Sequence, residues 1–516
     1  MKEGSFFKMR HFTATCAVSA LIAAGFAQTA AADITAEEAW GSLRDLLTGS
    51  GYEGTASETR EGDTLVVGDA VFTMPATAAQ GSTSIDFGTL RFTETGDGSV
   101  AVEMPDVMPI TSGFTDPDTG IAMSVVVEVT QSGADLVLSG TPERITQTYT
   151  AQAVDVALAS IDAPDDALPP DAIRMTMQLA GLSSTNTIEQ GDPRPMAGTA
   201  SAETASFDMA FAVPGEGSGA ASGEIRGISF EGTATMPMDT SAGDLHTLMQ
   251  AGYGFDGTFS HQGASMTLTG EEEGSTFQAD TGAASGTFDM AMSGESLSYT
   301  ASQTAVTIAA MLSDLPFPLS IQAQALDAGV TLPVAKSDEA EEFSLLVNLQ
   351  DFEMSDMVWA LLDPQSVLPR DPAKLLVDLS GKAKVFFNLL DPQSTEALAA
   401  SGDAPGELEA LDINAVELKL AGAELNGSGA FTFDNTDLAT FGGFPKPTGA
   451  LELHLAGGNA LLEKLAQMGM IGPQEAGVAR MMMGMLAVPG DAPDTLNSKL
   501  EINAEGHILA NGQRIQ

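Results

Sequence analysis

Hydrophobic and polar residues alternate through most of this chain, and short turn sequences interrupt the alternation. From about Thr64 the runs TLVVGDAVFTM, STSIDFGTLRFTE and MSVVVEVTQ are typical of strands, because successive side chains on a strand point to opposite faces. The turns between them, such as Gly96-Asp97-Gly98, are too short for a helical crossover, so the strands should pair in antiparallel fashion. The pattern predicts a mainly β fold, a long twisted antiparallel sheet or groove with a few amphipathic helices packed on one face.

Helical spacing replaces the alternation at a few places. Thr35 and Glu38 form a capping-box pattern before an amphipathic run that Gly49 ends, which predicts a helix there. A short helix is also expected around Trp359. After the strand that ends near Leu455, two further short helices are predicted.

Asn-Gly pairs are strong signals for tight hairpin turns. Two of them, Asn426-Gly427 and Asn511-Gly512, lie between alternating runs. Each is therefore predicted to be the turn of a hairpin.

The charged run 336–342 separates two apolar stretches and is the best candidate for a boundary. We therefore divide the chain into residues 1–32, a Gly/Ser/Thr-rich β region at 33–335, and a C-terminal β region with paired helices at 336–516. The alternative is that the two β regions form one continuous sheet.

Residues 1–32 have the pattern of a cleaved export signal. Lys8 and Arg10 precede an apolar run that begins near Phe12, and the small residues Ala30-Ala31-Ala32 follow it. A membrane anchor is the alternative, but the run is shorter than the ~20 residues that a span needs. The expected location is the periplasm, with no transmembrane segment after cleavage of the signal.

Charge and cysteine content narrow the classes of function. The 70 acidic and 21 basic residues give a net charge of −49, which opposes binding to nucleic-acid phosphates. We therefore expect no nucleic-acid partner. The single cysteine, Cys16, lies inside the predicted signal, so the mature chain is expected to have no disulfide.

No set of residues has the spacing of a catalytic or metal site. The histidines, among them His246, His261 and His454, are far apart and have no nearby partner that would complete a zinc site. We expect no catalytic residues, no metal, no cofactor and no enzymatic activity.

The methionines of the paired helices are the most distinctive apolar feature, because methionine adapts to varied apolar partners. Either these side chains pack the helices onto the sheet, or they line a groove for an acyl chain or other apolar ligand. The candidate groove residues are Trp359, Leu461, Leu465, Met468, Val478, Met481, Met482 and Met485.

Three C-terminal segments resemble a known family. The segments WALLDPQSVLPRDPAKLLVDLSG (359–381), GALELHLAGGNALLEKLAQMG (449–469) and EGHILANGQRIQ (505–516) are similar to an uncharacterised Gram-negative exported family, domain of unknown function 2125. More loosely, the chain resembles AsmA-like envelope proteins, and that resemblance implies an elongated β groove associated with lipid handling. The chain departs from that group because it lacks a retained N-terminal membrane helix.

These observations predict a non-enzymatic periplasmic envelope protein that binds a lipid or other apolar ligand in a groove between sheet and helices. The alternative is a structural or protein-interaction factor of the cell envelope, in which the methionine-rich helices dock an envelope protein partner.

Overall fold

A computed structural model describes residues 34–76, 81–115, 122–162, 172–213, 217–238, 245–272, 274–315, 317–402 and 404–516. The predicted signal, residues 1–32, lies outside the described residues. Within the described ranges the chain forms 26 strands of one antiparallel sheet and six helices. The predicted mainly β, antiparallel fold with a few helices is confirmed.

The helices are α1 (Ala36–Gly49), α2 (Leu245–Gln250), α3 (Asp356–Leu362), α4 (Pro392–Ser401), α5 (Gly458–Gln467) and α6 (Pro473–Leu486). The strands of the first half are β1 (Glu53–Glu61), β2 (Thr64–Met74), β3 (Ser82–Glu94), β4 (Val100–Glu103), β5 (Val107–Thr115), β6 (Ala122–Ser132), β7 (Asp135–Thr141), β8 (Arg144–Asp162), β9 (Ile173–Glu189), β10 (Arg194–Val213), β11 (Gly217–Met236), β12 (Gly254–His261) and β13 (Ala264–Glu272). The strands of the second half are β14 (Ser275–Ala283), β15 (Ser285–Met292), β16 (Ser296–Leu312), β17 (Leu319–Pro333), β18 (Glu341–Met354), β19 (Ala373–Val385), β20 (Gly406–Leu420), β21 (Ala423–Asp434), β22 (Lys446–Ala456), β23 (Val488–Pro489), β24 (Thr495–Ile502), β25 (Ile508–Ala510) and β26 (Gln513–Arg514).

The sheet is a long meander. Where two short strands lie end to end along a longer neighbour, they count as one strand position, and each strand position pairs with the next along the chain. β4 and β5 continue one another along β3, and β12 and β13 do the same along β11. Near the C-terminus, the hairpin of α5 and α6 is inserted between β22 and β24, which pair directly. β17 and β18 also pair directly across the charged run 336–342, so the sheet is continuous there.

A line of interrupted pairing, which we call the crease, crosses the sheet from β6 to β18. On one side of the β12–β13 turn it passes through positions that the register places opposite one another: Gly133, Gln152, Gly181, Glu203, Gly227 and Gln262. On the other side it continues from the next residue, through Gly263, Ala284, Ala305, Gln324 and Asp351. Several of the crease residues have a positive φ, for example 61° at Gly181 and 48° at Ala305. The apolar residues of each strand shift from odd to even numbers, or the reverse, at this line.

The N-terminal third shows that this shift keeps apolar residues on one side of the sheet. In β2 the shift occurs at Asp69, where φ is 52°, between Leu65 and Phe72. Both residues nevertheless belong to one buried core, beneath α1. The ring of Trp40, which is 2% exposed, lies 6.0 Å from Phe72 and 5.9 Å from Phe92 between centroids.

Local sequence explains how α1 begins. Thr35 and Glu38 form the predicted capping box, in which the Glu38 backbone N–H donates to Thr35 Oγ1 and the Thr35 N–H donates to the Glu38 carboxylate. The buried core that α1 covers is formed by residues between Ile34 and Ala202. The sheet beyond β10 extends past this core.

Candidate functional site

One face of the sheet carries three adjacent rows of apolar side chains that run across the strands. We call this surface the apolar sheet face and define it by these rows, whose members are direct cross-strand partners and therefore share a face. The middle row consists of Phe230, Phe259, Phe288, Ala301, Ala328, Val347, Val377, Val416, Gly427 and Leu453. On one side of it lie Met290, Tyr299, Val330, Leu345, Leu379, Ile413, Gly429, Leu451 and Leu500. On the other side lie Leu326, Leu349, Leu375, Leu418, Leu425, Leu455 and Leu496.

The apolar sheet face is largely uncovered. Phe288, Leu345 and Leu418, which lie on different strands, are 41%, 40% and 42% exposed. The face extends over eleven strand positions from β11 to β24, which at about 4.8 Å per strand is roughly 50 Å. A surface this large normally binds something, because soluble monomers rarely leave continuous apolar patches beyond a few hundred Å².

The opposite face of the same strands is polar. Thr258 Oγ1 donates to Asp289 at 2.6 Å, and Thr267 Oγ1 donates to Asp280 at 2.7 Å. Such hydroxyl–carboxylate pairs keep this face hydrated. The two faces of this part of the sheet therefore differ, since one is polar and the other is apolar.

Several large side chains on this side of the sheet lie flat, because their cross-strand partners are glycines. They include Leu453 of the middle row and Phe343, which lies two residues before Leu345 on β18. A Cβ atom added to Gly381 would lie 2.6 Å from Phe343 Cζ, and one added to Gly427 would lie 2.6 Å from Leu453 Cδ2. The large side chain thus occupies the space above the glycine backbone. The result is a smooth surface without a second layer of structure.

The hairpin of α5 and α6 lies at the C-terminal margin of the apolar sheet face. A Cβ atom added to Gly458, at the start of α5, would lie 2.7 Å from Leu455 Cδ2. At the end of α6, the Leu486 carbonyl accepts hydrogen bonds from Ser498 Oγ at 2.6 Å and Asn511 Nδ2 at 3.0 Å. Ser498 is the cross-strand partner of Leu453, so both helices reach the margin of this face.

The candidate groove residues of α5 and its C-cap are half-buried. Leu461, Leu465 and Met468 are all of intermediate exposure. The helix itself begins at Gly458, with Gly457 as its N-cap, and the Asn459 and Ala460 N–H groups donate to the Asp494 carboxylate at 3.2 and 3.0 Å. A carboxylate from the turn before β24 thus supplies the cap.

The candidate groove residues of α6 point to solvent. Val478, Met481, Met482 and Met485 are between 47% and 68% exposed. We call these four residues the methionine face. The packing interpretation is therefore wrong for them, because the better-buried apolar residues of α6 are a different set: Ala476, Ala479, Met483 and Leu486.

Trp359 lies on α3, which packs against β17, and is half-buried. The turn at Gly422 lies close to both the loop after α3 and the helix α5. A Cβ atom added to Gly422 would lie 3.0 Å from Cγ of Pro369, in that loop, and 3.9 Å from Nζ of Lys464, in α5. α3 and the hairpin therefore lie at the same end of the strands. The structure thus places all the candidate groove residues at that end.

Sequence patterns did not predict the apolar sheet face, although its signal is present. Leu349, Leu375, Leu418 and Leu455 each occupy an alternating strand, but their alignment depends on register, which one strand alone does not define.

The ionisable groups do not converge on a reaction centre. Among the residues that the structure describes, no three His, Cys, Asp or Glu side chains are placed to hold a metal ion. His261 is buried, with its ring over Gly286, and His454 Nδ1 pairs with Asn497 Oδ1 at 2.7 Å. In the described parts of the chain, moreover, no helix is long and apolar enough to cross a bilayer.

These features define an antiparallel β protein with one uncovered apolar sheet face. Residues 258–506 match the sequence model of domain of unknown function 2125, an uncharacterised protein conserved in bacteria. The matched region contains most of the apolar sheet face and the hairpin of α5 and α6. No curated protein and no solved structure matches the chain.

Proposed function

We propose that this chain is a non-enzymatic protein of the bacterial periplasm that binds the acyl chains of a lipid, or another apolar ligand, on its apolar sheet face. The observation that supports this proposal is the uncovered apolar surface that crosses eleven strand positions. The periplasmic location is supported by the export pattern of residues 1–32.

The size of the surface supports an occupant. The middle row has ten members, and the rows beside it have nine and seven. At about 4.8 Å per strand and about 7 Å between rows, they form a strip of roughly 500 Å², which lies in the upper part of the ~300–600 Å² range of the largest patch on a typical monomer. Covering apolar surface stabilises a complex by about 25 cal/mol per Å². The strip therefore favours association with an apolar partner.

The shape and chemistry of the strip favour acyl chains. Its length is roughly three times the ~15 Å that one leaflet of a bilayer core contributes. Apart from the Tyr299 hydroxyl, its side chains, such as Leu349 and Val377, present no hydrogen-bonding groups. The polar backbone of a protein occupant would therefore gain almost no hydrogen-bond partners from the strip. Acyl chains have no hydrogen-bonding groups.

Self-association through this face is less favourable. A second copy would bring another net charge of −49 close to the first, and that repulsion opposes a face-to-face dimer. A different envelope protein that covers the strip remains the alternative, which would make the chain a structural or interaction factor.

Two pairs of leucines provide a matched test. Leu345 and Leu375 lie on the apolar sheet face, whereas their sequence neighbours Leu346 and Leu376 lie on the polar face. We expect protein purified from the periplasm to retain lipid, as measured by mass spectrometry of an organic extract. Leu345→Gln with Leu375→Gln should lower the lipid per protein several-fold.

The control, Leu346→Gln with Leu376→Gln, should retain the lipid, because it makes the same chemical change on the other face. Thermal melts of both variants would establish that they fold. Absence of lipid from the wild-type protein, or equal loss in both variants, would contradict the proposal. A co-purifying protein that only the first variant loses would favour the interaction factor.

A further inference from the structure

We propose that the methionine face of α6 docks this protein onto the surface of a lipid bilayer, with its side chains inserted among the lipid chains. This interaction is additional to ligand binding in the sheet. A protein could dock in this way without holding lipid on its apolar sheet face.

The helix α6 has two separate apolar faces. Ala476, Ala479 and Met483 occupy one face at helical spacing, and they are the better-buried side chains of the helix. Met481 and Met485 lie on another side and are 68% and 60% exposed. One apolar face is enough to fix a surface helix, so the second indicates another apolar environment.

The charge of the hairpin differs from that of the whole chain. The segment 457–488 contains Glu463, Lys464, Glu475 and Arg480, so its net charge is zero, whereas the whole chain has a net charge of −49. A bilayer surface repels acidic protein when it carries anionic lipid. The neutral hairpin is the part of this acidic molecule that can approach a membrane with least repulsion.

The methionine face is too small for a stable interface with a second copy of the chain. Stable protein–protein interfaces bury about 800 Å² per partner. Four side chains that are at most 68% exposed cannot supply that area, so a second copy bound through this face alone would dissociate. A helix that lies in the surface of a bilayer needs only a short apolar face. Flexible methionine side chains can adapt to the changing positions of the lipid chains.

Other exposed apolar side chains lie at the same end of the strands. Met470, in the turn between α5 and α6, is 61% exposed. On α3, at the same end of the strands, Met357, Leu361 and Leu362 are also exposed. This end of the molecule therefore presents apolar groups on two helices at once.

Flotation of the full mature chain with phosphatidylcholine vesicles tests the proposal. We expect the wild-type protein to float with the vesicles, and to do so equally in high salt, because the contact is apolar. Met481→Gln with Met485→Gln should lower the vesicle-bound fraction about tenfold. Met481→Leu with Met485→Leu should keep it.

A matched control removes two exposed apolar side chains at the opposite end of the strands, Leu438→Gln with Phe444→Gln, and should float like the wild type. Wild-type protein that stays with the unbound fraction, or a glutamine variant of α6 that floats as well as the wild type, would overturn the proposal. A fall in oligomeric mass in that variant, without vesicle binding by the wild type, would assign the face to a second copy instead. Lipid retained after purification is measured separately, so failure to dock is distinguishable from failure to hold lipid.

Discussion

At the scale of single residues, the recurring unit of this sheet is a glycine opposite a large apolar side chain. Gly381 lies beneath the ring of Phe343, and its added Cβ atom would also lie 2.2 Å from the Ala410 carbonyl oxygen. The glycine is therefore required by a close approach of backbone. Such pairs explain why a chain with 54 glycines can build regular strands.

Replacing this glycine should destabilise the protein. We expect Gly381→Ala to lower the free energy of unfolding by about 1–3 kcal/mol, because the added methyl group overpacks the site. Gly41 in α1 is the matched control, since a Cβ atom there meets nothing within 4 Å. Gly41→Ala should raise stability by about 1 kcal/mol through helix propensity. Denaturant titration measures both, and equal effects of the two variants would contradict this interpretation.

At the scale of elements, the caps and turns show what local sequence can and cannot predict. The capping box of α1 and the hairpin turn at Asn511-Gly512 form as predicted, because both depend on neighbouring residues alone. The turn predicted at Asn426-Gly427 is wrong. Those residues lie within β21, where Gly427 makes room for Leu453, and the chain turns at Gly422 instead.

Features that depend on distant parts of the chain were harder to predict from the sequence. The crease divides long strands into halves with opposite alternation, and each half by itself resembles a separate strand. For α6, the residues at i, i+3, i+4 and i+7 from Val478 do form one apolar face, but a second periodic set packs inward. Only the tertiary structure distinguishes the two sets.

The cap of α5 should make this helix sensitive to acid. Burial disfavours the charged Asp494 carboxylate, but hydrogen bonds from the Ala460 N–H and from Asn459 outweigh burial and lower its pKa. A carboxyl group whose pKa is lower in the folded state stabilises that state at pH values above its unfolded pKa of about 3.9. This stabilisation is lost as the pH falls through the pKa of the folded state.

Hydrogen exchange of the α5 amides in wild type and Asp494→Asn measures this effect. At pH 6 we expect the variant to exchange about fivefold faster, as loss of a cap worth about 1 kcal/mol implies. Acidification below pH 4 should reduce the difference in exchange rate between the two proteins, because the wild-type carboxyl group then becomes neutral, like the amide of the variant. A difference that persists unchanged at low pH would contradict the role of the charge.

At the scale of the whole molecule, the chain combines a small covered core with a long uncovered sheet. The core beneath α1 is formed by residues between Ile34 and Ala202, whereas the strip from β11 to β24 has an apolar face without a second layer. The mainly β class was predictable from alternation. The location of the exposed apolar surface was not, because it depends on the register of eleven strand positions.

The most direct test of the account places a photoreactive side chain on either face of the sheet. Benzoylphenylalanine at Leu345 faces the apolar strip, and the same group at Leu346 faces the polar side. After irradiation of living cells, we predict lipid adducts at position 345 and none at 346, measured by mass spectrometry of the purified protein. Equal labelling at both positions, or only protein adducts at 345, would contradict lipid binding on the apolar sheet face.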